Sequence, residues 1–353
     1  MIRPPTVKFG SAAHDERVTS RLGVWLGISF VVCFLTGLLS HGIQHDWFWP
    51  SRPAQLYRVT QWLHIAAGIA AVPLLFAKLW SVYPKLFERP LFRSLPHAIE
   101  HGSILLLSGA AFFELVTGLF NAAQNYLWGF YFPTPHYAVA WIAIGSILVH
   151  VAVKLPIIRR ALTIQLDPRR RQFLRTTWLA TGAALAATVG GTVSPLAVRS
   201  DRGPQGLPVN RTARAANVVV PADWRLELAG PKGIRRLTLA ELRALPQATE
   251  DLPIACVEGW SAMATWTGVR ILDLLRLVGA EPGATVRVES LERDSIYATS
   301  TLPGEHTRDP ATLLALRVNG EELAPDHGFP CRIIAPSRPG VLQTKWVTRM
   351  EVR

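Results

Sequence analysis

The sequence predicts a multi-domain protein in which an all-α transmembrane helix bundle, of four spans plus a fifth linking span, is followed by an α+β domain. Three observations predict this. Four apolar stretches lie in the first 160 residues, each close to the roughly 20 residues that cross a hydrocarbon core. Hydrophobic residues make up 49% of the 353-residue chain and charged residues 18%, less charge than the roughly 25% usual in soluble proteins. After about residue 217, short β-type runs alternate with glycine and proline.

The four apolar stretches are 22–40, 59–77, 102–120 and 136–153. A fifth stretch, 176–198, is less hydrophobic because it is rich in alanine, glycine and threonine. Residues 199–206 then have the composition of a flexible linker. The sequence therefore divides into a membrane domain at 1–160, a connecting region with the fifth span at 161–216, and a soluble domain at 217–353.

The basic residues give the orientation. With a cytoplasmic N-terminus, the segments on the inner side of the first four spans hold fifteen lysines and arginines, and the outer segments hold two, Arg52 and Arg58. Short loops with such an excess stay in the cytoplasm. This distribution explains most of the net charge of +12 without a nucleic-acid partner. We expect a multi-pass protein of the cell membrane whose C-terminal domain is extracytoplasmic.

A basic motif precedes the fifth span. The run Arg170-Arg171-Gln172-Phe173-Leu174-Arg175 is similar to a twin-arginine export signal placed inside the chain. An ordinary basic stop before a helix is the alternative. Twin-arginine export carries folded domains, so the motif predicts that the following domain acquires a bulky cofactor before it crosses the membrane.

Histidines are concentrated in the membrane half, which contains eight of the ten. An imidazole in hydrocarbon costs free energy unless it is paired or bound, so intramembrane histidines are candidates for function. A b-type haem takes two axial imidazoles, and the chain has no Cys-x-x-Cys-His motif for a c-type haem. For each single histidine, an interfacial residue bonded to headgroups or backbone is the alternative.

The histidines fall into an outer and an inner group. The outer candidates for iron are His41, His64 and His136, and the inner candidates are His97, His101 and His150. His136 and His150 are 14 residues apart on one predicted helix, which is about four turns, or roughly 21 Å, on one face. This spacing suits two stacked haems. The outer haem takes His136 with His64 or His41, and the inner one takes His150 with His101 or His97.

Residues 18–160 resemble the bacterial membrane cytochromes b that exchange electrons with quinols. The resemblance is carried by the run 60–64 that ends in His64, by a Thr-Gly-Leu at 36–38 that recurs at 117–119, and by the pair His136 and His150. It implies one or two b haems, a lipid bilayer and the quinone pool as a partner. Glu114 is the one acid inside a predicted span; it is either a neutral hydrogen-bonded carboxylic acid or part of a proton path.

The cysteines, Cys33, Cys256 and Cys331, are too few and too scattered for a disulfide framework or a cysteine-rich metal site. Cys256 follows a predicted strand and precedes a Glu-Gly-Trp turn. Composition alone favours a buried structural thiol there.

The wider pattern gives Cys256 another role. The run 256–261 with the Trp-Thr-Gly at 266–268 resembles the molybdopterin-binding domain of the sulfite oxidase family, which includes periplasmic methionine-sulfoxide reductase catalytic subunits. The resemblance implies a sulfite-oxidase-like fold and a molybdopterin whose molybdenum takes the soft Cys256 thiolate. It also implies that Glu258 and Trp260 shape the catalytic pocket and that Ser261 contacts the cofactor.

The same resemblance extends to the C-terminus and covers 217–353. The loop 338–346, with Gly340 and the Lys345-Trp346 pair, is similar to the loop that holds the pterin phosphate. By resemblance, Lys345 is the phosphate contact, assisted by Arg338 and Gln343. A basic surface loop is the alternative. The chain shows no counterpart of the arginine cluster that binds sulfite in that family, which puts sulfite in doubt as a substrate.

Together these features predict a membrane-bound, molybdopterin-dependent oxidoreductase. We expect oxygen-atom transfer at an extracytoplasmic molybdenum site, coupled through b haem to the quinone pool, with a small-molecule or protein-bound S- or N-oxide as the substrate. One alternative is sulfite-type oxidation that feeds electrons to the membrane. Others are a metal-free binding module on a membrane anchor, or an anchor without haem.

Overall fold

A computed structural model describes residues 11, 13–86, 95–123, 125, 127–193, 204–293 and 295–353, with the side chains of 85–86, 95–101, 189–193 and 204 left out. The chain forms two compact units. The first comprises Met1–Leu38 and Leu63–Ser194, and the second comprises Leu39–Trp62 and Pro195–Arg353. The second unit thus includes a segment from the predicted membrane domain.

Five long helices dominate the N-terminal half. They are α1 (Glu16–Gln44), α2 (Leu56–Leu86), α3 (Leu95–Ala122), α4 (Pro133–Thr163) and α5 (Pro168–Val193). Among the described residues, four helical segments are long and apolar enough to cross a membrane: Glu16–Gln44, Leu56–Pro84, Gly102–Ala122 and Pro133–Thr163. The four predicted spans are confirmed in this sense. Large apolar side chains such as Leu105, Leu148 and Phe76 are exposed along them, and a bilayer would cover this surface.

The first unit has a modest interior. One cluster contains Phe30, Ala71, Leu75 and Ala111, and a second contains Val18, Leu22 and Leu74 with Phe173 and Leu174 packed against it. Small residues such as Ala71 and Ala111 allow helices to approach closely, which is how helices associate where lipid surrounds them.

Helix α5 begins where the sequence changes from apolar to basic. The Asp167 side chain accepts a hydrogen bond from the Arg170 backbone N–H at 3.0 Å, which satisfies one of the amides left free at a helix start. The helix exists as the sequence predicts, but it is not among the four apolar spans of the described residues. Its crossing stays a prediction. Residues 194–198 of the fifth span and 199–203 of the linker lie outside the described residues.

The C-terminal part of the second unit is an α+β domain. Its strands are β1 (Arg225–Gly230), β2 (Gly233–Thr238), β3 (Ala248–Ala255), β4 (Ser261–Arg270), β5 (Val286–Ser290), β6 (Thr299–Leu302), β7 (Leu313–Val318), β8 (Glu321–Glu322), β9 (Arg332–Ile334) and β10 (Val347–Val352). Its helices are α6 (Leu239–Ala244), α7 (Ile271–Leu277) and α8 (Gly304–Thr307). One sheet has the order β2-β1-β10-β5-β6. The other has the order β3-β4-β7-β8, with β9 also paired to β7.

Local sequence explains several of these elements. Thr238 and Glu241 form a reciprocal capping box that starts α6. Asn319 and Gly320 have φ of 50° and 83° between β7 and β8, the conformation that a tight hairpin turn requires at both central positions. Hydrophobic cores lie under both sheets, and the fully buried Trp266 of β4 belongs to the second one.

The segment Leu39–Trp62 is held to the β domain at points far apart in sequence. The Trp49 indole N–H donates to the Ser337 carbonyl at 2.8 Å. Arg52 makes two bonds to the buried Asp309 carboxylate, at 2.8 and 2.9 Å. This bidentate geometry gives more specificity than a single charged contact. The end of α1, the loop and the first turns of α2 are therefore structural parts of the second unit.

Candidate functional site

Cys256 lies on a tight turn between β3 and β4. Its backbone N–H donates to the Trp260 carbonyl at 2.9 Å, and the Gly259 N–H donates to the Cys256 carbonyl at 3.1 Å. Gly259 has φ of 91°, a conformation that side chains other than hydrogen rarely adopt. The turn thus fixes the thiol at the end of a paired strand, where the sequence predicts it.

The thiol is buried beside a carboxylate. Cys256 is 2% exposed, and its Sγ lies 3.6 Å from the Glu258 Oε2. The Trp260 indole N–H donates to the same oxygen at 2.9 Å. Burial, followed by the charge of Glu258, raises the pKa of Cys256 well above its usual value. Such a thiol is unreactive as a free nucleophile, whereas a bound metal cation would favour its thiolate.

The loop at 338–346 lies directly against this turn. Pro339 forms a parallel bridge with Ala255, and a Cβ added to Gly340 would stand 3.1 Å from the Ala255 carbonyl oxygen. A larger residue would force these two backbones apart, which explains a glycine here. Inside the loop, Arg338 donates to the Leu342 carbonyl at 3.0 Å, and Gln343 donates to the Arg338 carbonyl at 2.9 Å.

Lys345 is buried and surrounded by oxygen atoms. Its ammonium group donates to the carbonyls of Arg211 and Asp326, at 2.6 and 3.1 Å, and to the Asn210 side chain at 3.4 Å. Burial, together with the neighbouring Arg332, nevertheless lowers the pKa of Lys345 to about 7. Lys345 also interacts electrostatically with Cys256, so the two predicted site residues belong to one electrostatic environment.

Two buried arginines complete a positive region. Arg332 donates to the carbonyls of His327 and Gln343, at 3.2 and 3.1 Å. Burial lowers the pKa of Arg332 to about 9 and that of Arg338 to about 10. In the described part of the chain, neither arginine nor Lys345 forms an ion pair. The sequence alone does not point to Arg332, because a basic residue inside a short apolar strand gives no signal of its partners.

This region fits an anionic cofactor. Within the described ranges, the Arg332 Nε and the Gln343 Oε1 are buried without a hydrogen-bond partner, and such groups are costly unless a ligand or water satisfies them. In the described residues Arg332, Arg338 and Lys345 form no ion pair with a carboxylate, so a bound anion would stabilise their charged forms. The described residues contain no cluster of three or more metal-binding side chains. A metal at Cys256 would therefore need its other ligands from a cofactor.

The predicted cofactor contact Ser261 and a further residue, His306, are placed as follows. The Ser261 hydroxyl accepts a hydrogen bond from the Arg58 Nε at 3.0 Å. His306 is buried near Arg338, and burial followed by that charge lowers the pKa of His306 to about 3, so the ring is neutral.

The first unit contains a second candidate site, formed by His64 of α2 and His136 of α4. The His64 Nδ1 lies 2.9 Å from the Cys33 carbonyl and 3.1 Å from the Thr36 hydroxyl. The His136 Nδ1 lies 2.7 Å from the Thr117 hydroxyl. Since both threonine hydroxyls donate to carbonyls in their own helices, their oxygens accept from the imidazoles. The arrangement leaves each Nε2 directed away from these bonds.

The two Thr-Gly-Leu motifs thus have the same structural role, each beside one histidine ring. A Cβ added to Gly37 would stand 3.1 Å from the His64 Cε1, and one added to Gly118 would stand 3.8 Å from the His136 Cε1. Each threonine orients an imidazole, and the following glycine makes room for it. The two rings also interact electrostatically with each other. Paired imidazoles with fixed Nδ1 atoms are the ligands that a b-type haem takes.

Other histidines are placed differently. His41 stacks on His45 with ring centroids 4.0 Å apart. His150 is half-buried. The side chain of His101 lies outside the described residues, as does that of His97, so the predicted inner pair stays a prediction. The Glu114 Oε2 lies 3.1 Å from the His136 Nε2, which shows that this acid faces the predicted iron-binding atom.

Comparison with known proteins identifies the C-terminal domain. Residues 213–353 match the family model of the oxidoreductase molybdopterin binding domain. These residues are a molybdopterin-binding domain. The match begins a few residues before the domain boundary that the sequence predicts, and it includes the Cys256 turn and the 338–346 loop of this molybdopterin-binding domain.

Curated relatives agree with this assignment. The mitochondrial sulfite oxidase of Drosophila melanogaster is 33% identical over 160 residues, which cover 38% of this chain and 28% of that protein. YedZ1 of Azospira oryzae, named as a subunit of a protein-methionine-sulfoxide reductase, is 34% identical over 37% of this chain and 49% of its own. The protein-methionine-sulfoxide reductase catalytic subunit MsrP of Gluconobacter oxydans is 30% identical over 37% of this chain and 47% of its own. The chain therefore spans half or less of each relative.

Proposed function

We propose that this protein is a membrane-bound oxidoreductase that reduces an S- or N-oxide at a molybdenum site and draws its electrons from quinol through b haem. The observation that carries the proposal is the buried Cys256 thiol. It lies on a tight hydrogen-bonded turn, against a loop that contains the buried Arg338 and Lys345, inside a molybdopterin-binding domain.

The residues around the turn have separate roles in this proposal. Cys256 supplies the one protein thiolate to the metal. Arg332, Arg338, Gln343 and Lys345 would hold the anionic pterin, because their donors are buried and form no ion pair with any carboxylate in the described residues. When bound, molybdopterin supplies two-electron oxygen-atom transfer. Glu258 holds Trp260 through the indole N–H, so this pair shapes the pocket in which the oxide lies.

The reaction balances without a further reactant. Reducing a sulfoxide breaks the S–O bond and releases its oxygen as water, which consumes two electrons and two protons. A quinol releases two electrons and two protons when it is oxidised to the quinone. His64 and His136 are the residues proposed to hold the b haem, because both are oriented by threonine and interact with each other.

A sulfoxide is the preferred substrate for two reasons. Two relatives carry protein-methionine-sulfoxide reductase in their names, and the sequence lacks a recognisable arginine cluster for sulfite. Sulfite oxidation is the second candidate because sulfite oxidases are also similar to this chain. Turnover of methyl sulfoxides with a reduced dye, compared with sulfite-dependent reduction of an oxidised dye, distinguishes the two.

We propose that the molybdopterin-binding domain lies outside the cytoplasm. The excess of basic residues on one side of the spans supports this orientation. The bilayer and the quinone pool are then partners of the first unit, and the oxide substrate reaches the domain from the cell exterior or periplasm.

Metal and haem analysis of the purified membrane protein tests the proposal. We expect one molybdenum and one pterin per chain, and reduced-minus-oxidised difference bands of b-type haem. Cys256→Ala should abolish oxide reduction and release molybdenum while the haem bands stay unchanged. Retained turnover in this variant would exclude Cys256 as the ligand. Absence of molybdenum and pterin from protein made in a cell that synthesises both would refute the proposed function.

A further inference from the structure

The Cys256 turn has a neighbour that lies outside the motifs of the molybdopterin site. This neighbour is the first part of helix α2 together with the end of α1, both of which belong to the second unit. Ile43, Tyr57 and Ala255 form one buried cluster, with Trp49 and Leu342 packed against it. Ala255 directly precedes the thiol, and Leu342 lies in the 338–346 loop. This part of the second unit therefore packs against both backbone segments that frame the site.

Hydrogen bonds also join the first part of α2 to both ends of the Cys256 turn. The Gln61 side-chain amide donates to the Val257 carbonyl at 3.2 Å, one residue after the thiol. The Arg58 Nε donates to the Ser261 hydroxyl at 3.0 Å, where β4 begins. The two contacts therefore hold the turn on either side of Glu258, Gly259 and Trp260.

The Gln61 amide is itself fixed in orientation. Tyr57 donates its hydroxyl to the Gln61 Oε1 at 3.3 Å and shares a further bond of 3.0 Å with the Ser40 hydroxyl. Tyr57 is 1% exposed and Gln61 is 7% exposed. A buried amide bonded at both its oxygen and its nitrogen cannot rotate without losing both bonds. The relay Ser40–Tyr57–Gln61 thus ends on the carbonyl next to Cys256.

We propose that Gln61, with Tyr57 and Arg58, positions the thiolate ligand of the molybdopterin-binding domain. These residues do not touch the reacting atoms; they act through the Cys256 turn, as outer-shell groups orient metal ligands in other sites. The inference rests on the proposed function where it is tested by the spectrum of bound molybdenum. Where it is tested by the reactivity of the Cys256 thiol, it needs only the protein.

The alternative is that the segment only tethers the domain, and the chain offers a matched control for it. Arg52 binds Asp309 from the same segment but makes no described contact with the turn. Arg52→Gln therefore weakens the tether, whereas Gln61→Met removes the contact with Val257 at nearly constant volume. Tyr57→Phe keeps the ring in the apolar cluster and removes the hydroxyl that orients Gln61.

The first measurement is the electron paramagnetic resonance spectrum of Mo(V) in the full-length protein, because its g values report the geometry of the thiolate ligand. We expect Gln61→Met to change the spectrum, Tyr57→Phe to change it less, and Arg52→Gln to leave it unchanged. Equal changes in the Gln61 and Arg52 variants would show tethering alone and overturn the proposal. Unchanged spectra in the Gln61 and Tyr57 variants would also overturn it.

The second measurement needs no cofactor. Full-length protein made without molybdopterin is treated with iodoacetamide, and labelling of the Cys256 peptide is followed by mass spectrometry. Loss of a buried hydrogen bond should increase local opening and the labelling rate about tenfold in Gln61→Met, with Arg52→Gln close to wild type. Equal rates in all three proteins would refute the positioning role. If the wild type lacks molybdenum, the proposed function fails while this labelling experiment still decides the inference.

Discussion

At the scale of single residues, Lys345 combines two opposing influences. Three oxygen atoms surround its ammonium group, while burial and then Arg332 lower the pKa of Lys345 to about 7 from an ordinary 10.5. Between these two pH values the unfolded chain binds a proton that the folded chain does not. Folding is therefore linked to proton release, and stability rises with pH across this window.

This linkage predicts the behaviour of the cofactor-free protein. Its free energy of unfolding should increase from pH 7 toward pH 10.5, with a slope of at most about 1.4 kcal/mol per pH unit for one proton. Lys345→Met should remove this slope. In the molybdopterin-loaded protein the slope should also be absent, because an anion would stabilise the ammonium form. Denaturant unfolding of the second unit, followed by tryptophan fluorescence at several pH values, measures the slope in the cofactor-free wild type, in Lys345→Met and in the loaded protein. An identical slope in wild type and Lys345→Met would contradict this assignment.

Two threonines in the first unit, Thr36 and Thr117, each contact the Nδ1 atom of a candidate haem ligand, and the two histidines differ in what else they contact. Thr117 is the hydrogen-bond partner at the His136 Nδ1, whereas the His64 Nδ1 has both Thr36 and the Cys33 carbonyl. An acceptor at Nδ1 makes an iron-bound imidazole more basic and stabilises ferric over ferrous haem. Losing the acceptor should therefore raise the reduction potential.

Thr117→Val should raise the haem potential more than Thr36→Val, since His64 keeps the Cys33 carbonyl. We expect a shift of up to roughly 60 mV in Thr117→Val, which corresponds to a tenfold change in a one-electron equilibrium. Redox titration of the b-haem bands in membranes measures it. Thr60→Val is the control, because the Thr60 hydroxyl donates to the Tyr57 carbonyl. A normal potential in Thr117→Val, with intact haem bands, would show that His136 is not an axial ligand.

At the scale of elements, the sequence predicts the features that are set by residues adjacent in the chain, such as apolar spans and tight turns. The four apolar spans were predictable because their length and hydropathy are properties of continuous stretches. The turn after β3 was predictable because Gly259 and its neighbours have the composition of a tight turn. The helices extend beyond the predicted spans at both ends, as in Pro133–Thr163 against 136–153, because a helix does not end where its hydrocarbon-facing part ends.

Contacts between distant elements were not predictable from one sequence. Gln61 belongs to the 60–64 motif that resembles cytochromes b, but its amide contacts the Val257 carbonyl, 196 positions away. Arg52 has the sequence position of an ordinary outer-loop charge, but it is bonded to the buried Asp309. Burial raises the pKa of Asp309, but the hydrogen bonds from Arg52 and the Ala311 amide outweigh burial and lower it. Such pairs depend on the fold, and side-chain type alone does not reveal them.

At the scale of the whole molecule, the two arginines of the motif before α5 differ in their surroundings. Arg170 lies 3.1 Å from the Asp15 carboxylate and also bonds Asp167, so it has a structural role within the first unit. Arg171 is exposed. A basic stop needs only positive charge at these positions, whereas recognition of paired guanidinium groups needs both arginines.

Arg171→Lys therefore separates an export signal from a basic stop without disturbing the ion pairs of Arg170. If export follows the twin-arginine route, the molybdopterin-binding domain of this variant should stay inside and resist protease added to spheroplasts, while the wild-type domain is cut. The b-haem bands should persist, because the first four spans insert independently of the fifth. Asp15→Asn, which weakens the Arg170 pair and leaves both arginines, should export normally. Normal cleavage of the Arg171→Lys domain from outside would show that positive charge alone suffices and that the domain crosses by another route.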